Sequence, residues 1–105
     1  MKSLFSIEFD FQQAIQRAEE LEEIAADLRR LADNDLQGTL QNLSIAWKGE
    51  AASAYIHKGT RLKEKILKSS SDLRKTASTI RSVAKRTYNA EMAAYRIAME
   101  RKYKG

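Results

Sequence analysis

The residues in this 105-residue chain best placed to do chemistry are carboxylates. Glu19, Glu20, Glu22, Glu23 and Asp27 lie close together, and Glu19/Glu23 or Glu22/Glu23 are near enough for paired acid and base work. Their setting argues against it. At helical spacing they share a solvated face, and such a face has no enclosed pocket to push two carboxyl pKa values apart. Metal chemistry is poorly provided for as well. The chain has one histidine, His57, and no cysteine, so neither a multi-histidine site nor a thiolate site can be assembled. No glycine-rich phosphate loop and no nucleophile with its base is present. The expectation is a protein that is not an enzyme, with no catalytic residues, no metal and no cofactor.

Phosphate contact is the other chemistry on offer. The net charge is +5, and Lys85, Arg86, Arg96, Arg101, Lys102 and Lys104 interleave with Tyr88, Tyr95 and Tyr103, which could stack on bases. The basic residues are spread around the helix, however, and the first half of the chain is acidic. A basic helical nucleic-acid-binding protein is therefore the alternative reading, and no nucleic acid is expected in the leading one.

The elements that must position these groups are helical. Proline is absent and glycine occurs four times, so nothing interrupts a long helix by removing a backbone donor. The first helix is expected over about 10–43. Asp10 can cap its free amides, with Gln13 three residues on, and Gly38 suggests fraying or an end near there. Phe11, Ala14, Ala18, Leu21, Ala25, Leu28 and Ala32 recur in steps of three and four, and Ile15, Ile24, Leu31, Leu36, Leu40 and Leu43 widen this seam into a stripe. The second helix is expected over about 50–98, its seam reading Tyr55, Gly59, Leu62, Ile66, Ser70, Leu73, Ala77, Ile80, Ala84 and Thr87. Gly59 within it either admits a close neighbour or is merely a poorly optimised position. A turn over 44–49 joins the helices, and a basic tail over 99–105 follows. The result is a single all-α domain over 1–105, an antiparallel helix-turn-helix hairpin.

A hairpin of this kind has a surplus of apolar surface. Two helices meeting along one line bury one row each, and the first helix carries two. Docking two hairpins into a four-helix bundle buries both, so a dimer is expected through Phe11, Ile15, Ala18, Leu21, Leu28, Leu62, Ile66, Leu73 and Ile80. Charge is split between the arms. Residues 1–43 carry four basic and nine acidic side chains, a net of −5, and residues 44–105 carry fifteen and five, a net of +10. This favours antiparallel closure and a mate that sets its acidic arm against the basic one. No apolar run approaches the ~18 residues of a membrane span, so no stable membrane insertion is expected. The N-terminus lacks the long apolar core and small-residue site of a cleavable signal peptide.

At the centre, Trp47 can cap the open end of the helix pair and Gly49 can supply the backbone conformation of a tight turn. The string Trp47-Lys48-Gly49-Glu50-Ala51-Ala52-Ser53-Ala54-Tyr55 resembles the middle of the WXG family, the roughly hundred-residue, ESAT-like helical hairpins of type VII (ESX or Ess) secretion. The likeness extends over the whole chain in layout: similar length, a central Trp-x-Gly, a long helix on each side, no cysteine. It implies pairing with itself or with a second WXG-like hairpin, a cytoplasmic stage, and then secretion through a type VII export ATPase. It also implies a role as secreted substrate or as targeting partner of an LXG-type toxin, in virulence or interbacterial competition. The family's export signal is a tyrosine with an acid four residues on, after the second helix. This chain departs from it, since the residues four beyond Tyr88 and Tyr95 are Met92 and Met99. Either a mate supplies the signal, or Tyr88 with Glu91 or Tyr95 with Glu100 forms a degenerate one.

Overall fold

A computed structural model describes residues 2–104. These are all-helical: α1 (Leu4–Arg30), a π-turn (Leu31–Leu36), α2 (Gln37–Ala46) and α3 (Glu50–Lys104), with no strand among the described residues. The first arm starts earlier than Asp10. Ser3 is the cap, its Oγ accepting the Ser6 amide at 3.1 Å and its carbonyl accepting the Ile7 amide at 3.1 Å. The extra turn buries Ile7, which is 2% exposed, so the added helix is held by contact as well as by its cap. Asp10 lies inside the helix and accepts a hydrogen bond from Lys2.

The helices form two compact units, one built from residues 2–20 and 76–104, the other from Leu21–Lys75. In the first, the start of α1 runs antiparallel to the end of α3. Ile7, Ala18, Ala77 and Ala84 are its buried core. The rings of Phe11 and Tyr88 meet at 4.8 Å, and the Tyr88 hydroxyl reaches Glu8 at 3.4 Å. In the second, Ala25, Ala32, Leu40, Ala52 and Ser70 are buried. Ser70 is the one buried polar side chain among the described residues, and its hydroxyl donates to the Ala25 carbonyl at 2.7 Å. That bond satisfies the hydroxyl without adding volume, so a serine serves where alanine stands elsewhere.

Gly38 does not end the first arm. The helix continues through it to Ala46 because Leu36 and Leu43 are half-buried and Leu40 is buried on its two sides, and a packed face outweighs the ~1 kcal/mol that glycine costs a helix. Those leucines belong to the seam rather than to a second row, and the π-turn is the reason. The seam runs in steps of four and three as far as Ala32, and a regular α-helix would next present Asp35, Thr39 and Asn42 to α3. The Gln37 amide instead bonds to the Ala32 carbonyl five residues back, which inserts one residue and brings Leu36, Leu40 and Leu43 round to the buried side. On α3 the buried phase is Ala52, Ile56, Gly59, Lys63, Ile66, Ser70, Leu73, Ala77, Ile80 and Ala84. Tyr55 and Leu62 are 60% and 51% exposed, and Thr87 is exposed as well. The expected seam departs from the buried phase only at Tyr55, Leu62 and Thr87, and it shares Gly59, Ile66, Ser70, Leu73, Ala77, Ile80 and Ala84 with it. Lys63 takes the place expected of Leu62: it is half-buried and donates its amine to Gln37 Oε1 at 3.0 Å. The second arm also continues past 98, α3 reaching Lys104.

Deleting Asn34 should convert the π-turn to α-helix, leave the seam in steps of three and four, and move the thermal midpoint by only a few degrees. Deleting Gln16, which rotates Ile7, Phe11 and Ala14 off the seam, should cost at least about 2 kcal/mol in chemical denaturation. The glycines should answer in opposite directions. A methyl at Gly38 meets nothing within 4 Å, whereas one at Gly59 collides with the Leu40 side chain. Gly38→Ala is expected to stabilise by about 0.5–1 kcal/mol and Gly59→Ala to destabilise by about 1 kcal/mol once overpacking outweighs the propensity gain.

Candidate partner-binding site

Small residues on the seam leave the larger apolar side chains at its margins, and in each unit these margins form an open cleft. In the first unit, Ile7, Phe11 and Ala14 from α1 face Ile80, Val83 and Thr87 from α3 across a groove of about 360 Å³. Val83 is 45% exposed. Lys2 stands at one end, its amine donating to Asp10 Oδ2 at 2.8 Å and Glu91 Oε1 at 3.1 Å. Those carboxylates, Asp10 foremost, hold the ammonium above its ordinary value of 10.5. A raised lysine pKa means that any contribution of this group is complete at neutral pH and fades only as pH climbs past that value. In the second unit, Leu31, Asp35, Leu36 and Thr39 from the π-turn region face Leu62 and Ile66 across a notch of about 270 Å³.

The residues expected at a partner interface fall into three groups. Ala18 is fully buried within its own chain and is unavailable to a mate. Phe11, Ile15, Leu21, Leu28, Ile66, Leu73 and Ile80 are half-buried, with one flank in the seam and the other in water. Leu62 is open, as are Ile24 and Leu31 of the second apolar row. Val83, Thr87 and Asp35 line the clefts without having been singled out as interface residues. The signal for Val83 and Thr87 was the row 62-66-69-73-76-80-83-87, a set of three-and-four steps that shares Ile66, Leu73 and Ile80 with the buried one, and Asp35 carried none. Away from the clefts, Phe5 and Phe9 stack at 5.9 Å and remain 76% and 50% exposed.

The turn is shorter than the expected 44–49, since α2 runs to Ala46 and α3 starts at Glu50. Gly49 takes φ +118°, its carbonyl accepts the Ser53 amide to start α3, and the Trp47 amide closes α2 on Leu43 O at 2.9 Å. The indole sits 5.6 Å from the ring of Tyr55 but keeps 43% of its surface in water, so it covers the end of the helix pair only partly. The two candidate export pairs differ in what they touch. Tyr88 and Glu91 are engaged within the first unit, by Phe11 and Glu8 and by Lys2. Tyr95 and Glu100 line a shallow depression on α3 with Arg96, Met99 and Tyr103. His57 is exposed, and among the described residues no group of acidic, histidine or cysteine side chains could hold a metal ion. The acidic face of α1 is laced by short-range pairs, Arg17–Glu20 at 2.8 Å, Arg29–Asp33 at 3.5 Å and Arg30–Asp27, each adding little where both partners are wet.

Trp47→Ala should lower stability by about 1–2 kcal/mol, the scale of a half-covered aromatic and one ring pair. Gly49→Ala should cost about 1 kcal/mol or more from left-handed backbone strain. Both are measurable by urea denaturation, and no loss on Trp47→Ala would mean that the indole serves recognition rather than closure. No helix of the described residues is long and apolar enough to cross a membrane. Compared with known families, with curated proteins and with solved structures, the chain matches none.

Proposed function

We propose that this protein works by pairing with another helical hairpin, in the manner of the WXG proteins of type VII secretion, as a secreted substrate or as a co-secreted targeting partner of an LXG-type toxin. The observation that carries the reading is the pair of open apolar clefts flanked by half-buried leucine, isoleucine and valine, on helices joined by a Trp-x-Gly turn. Clefts of this type are covered when a second hairpin completes a four-helix bundle. On this reading the chain acts by binding and not by catalysis, and the export ATPase recognises the pair. Tyr95 and Glu100 are the better candidates for a degenerate export signal, because Tyr88 and Glu91 are occupied in holding α1 to α3.

The test is co-expression with the small helical proteins and any LXG toxin encoded nearby, followed by affinity purification and an export assay. A stoichiometric complex that reaches the medium is expected. Tyr95→Ala with Glu100→Ala should abolish export while the complex still forms. A chain that is monomeric, binds no neighbour and never leaves the cell would overturn the proposal.

A further inference from the structure

The first turns of α1 carry a pattern that their helix does not use. Phe5-Ser6-Ile7-Glu8-Phe9-Asp10-Phe11 alternates a large apolar residue with a polar one at every step, and no other seven-residue stretch of the chain does so. That is the period of a strand with one covered face. Wound as a helix, the segment divides its apolar residues. Ile7 is buried and Phe11 half-buried, whereas Phe5 and Phe9 stack on each other at 5.9 Å and stay 76% and 50% exposed. An extended backbone brings all four to one side and leaves Ser6, Glu8 and Asp10 on the other. Phenylalanine and isoleucine favour strands as well, so local preference and observed fold disagree here.

Contact with α3 is what keeps the segment helical. Ile7 is buried in the first unit, the Phe11 ring meets Tyr88 at 4.8 Å, and the Tyr88 hydroxyl donates to Glu8 at 3.4 Å. Lys2, just ahead of the helix, ties Asp10 of the segment to Glu91 of α3 at 2.8 and 3.1 Å. The polar links are all exposed, so each holds weakly on its own. We propose that residues 5–11 form a two-state segment, helical while Lys2 and Glu91 clasp it to α3 and a β-strand once released, fitted to the open edge of a sheet. The strand offers that edge a row of unpaired backbone donors and acceptors. On one face it presents Phe5, Ile7, Phe9 and Phe11 to apolar pockets, and on the other it keeps Glu8 and Asp10 in water. The helix stores the strand by splitting its apolar row in two. The inference goes beyond the pairing reading, which concerns the clefts and stands or falls separately.

The experiment compares the full chain with Glu91→Lys, which sets a like charge against Lys2, with the milder Lys2→Ala, and with Glu91→Lys carrying Phe5→Gln and Phe9→Gln. Amide exchange reads release. Infrared spectra and thioflavin fluorescence of concentrated samples read the strand, the released segment of a second chain serving as the sheet edge. Exchange over residues 5–11 is expected to quicken about tenfold or more in both clasp variants while residues 25–75 stay protected. β-structure should then grow with concentration in Glu91→Lys. It should be absent from the wild type and from the phenylalanine variant, whose segment is still released but has lost half of its apolar row. Unchanged exchange in both clasp variants would overturn the clasp. Release without β-structure would overturn the strand state, and β-structure that survives loss of Phe5 and Phe9 would overturn its assignment to this segment.

Discussion

Everything in this fold depends on how narrow the seam between the two arms is. Ala18, Ala25, Ala32, Ala52, Ala77 and Ala84 occupy buried positions that leucine fills in most helical pairs, with the buried Ser70 and the half-buried Gly59 among them. Small residues let the helices close on one another, yet each removes little apolar area from water, and burial is what stabilises a pair of helices. The larger side chains are displaced to the margins, where Leu21, Leu28, Ile66, Leu73 and Ile80 are only half-covered. Tight approach and open flanks are thus one fact viewed from two sides. Filling the seam with leucine would cover more area at the centre and push the margins apart, and the clefts would lose their shape.

Much of this architecture is legible in the order of residues. The absence of proline, the three-and-four recurrence and the Trp-x-Gly turn are enough to place two long antiparallel helices and their joint. The failures have physical causes. Leu4 and Ile7 continue the seam back from Phe11 in steps of three and four, but the capping pattern at Asp10 and Gln13 competes with the shorter cap at Ser3. Ala32, Leu36 and Leu40 are spaced four and four, which reads as a widening stripe unless one knows that the backbone has gained a residue between them. On α3 the expected seam holds at Gly59, Ile66 and from Ser70 to Ala84 and fails at Leu62, where the buried phase passes through a lysine. A charged side chain whose stem is buried looks, in sequence, like a surface residue.

The candidate site was legible to a lesser degree. Of the surplus apolar row of the first helix, Leu31 and Leu36 line an open cleft, as do Leu62, Ile66 and Ile80 on α3; Leu73 lines neither cleft. Nor does Ala18, because periodicity cannot tell a small residue that admits a neighbour in the same chain from one that awaits a neighbour in another.

The antiparallel arrangement also orders the contacts by chain separation. Lys63 reaches back 26 residues to Gln37, Ser70 reaches 45 to Ala25, Tyr88 reaches 80 to Glu8 and Glu91 reaches 89 to Lys2. Each pairing beyond the turn closes a larger loop, yet with the preceding pairings in place it adds only a few unfixed residues to the closure. The entropic cost falls mainly on the first contact beside Trp47 and Tyr55 and grows slowly afterwards. Such a chain folds as a zipper from its middle toward its ends, with local contacts first and a correspondingly low barrier. The reverse holds for opening, so amide protection should decline from the turn toward the termini and a pull on either end peels the arms apart turn by turn.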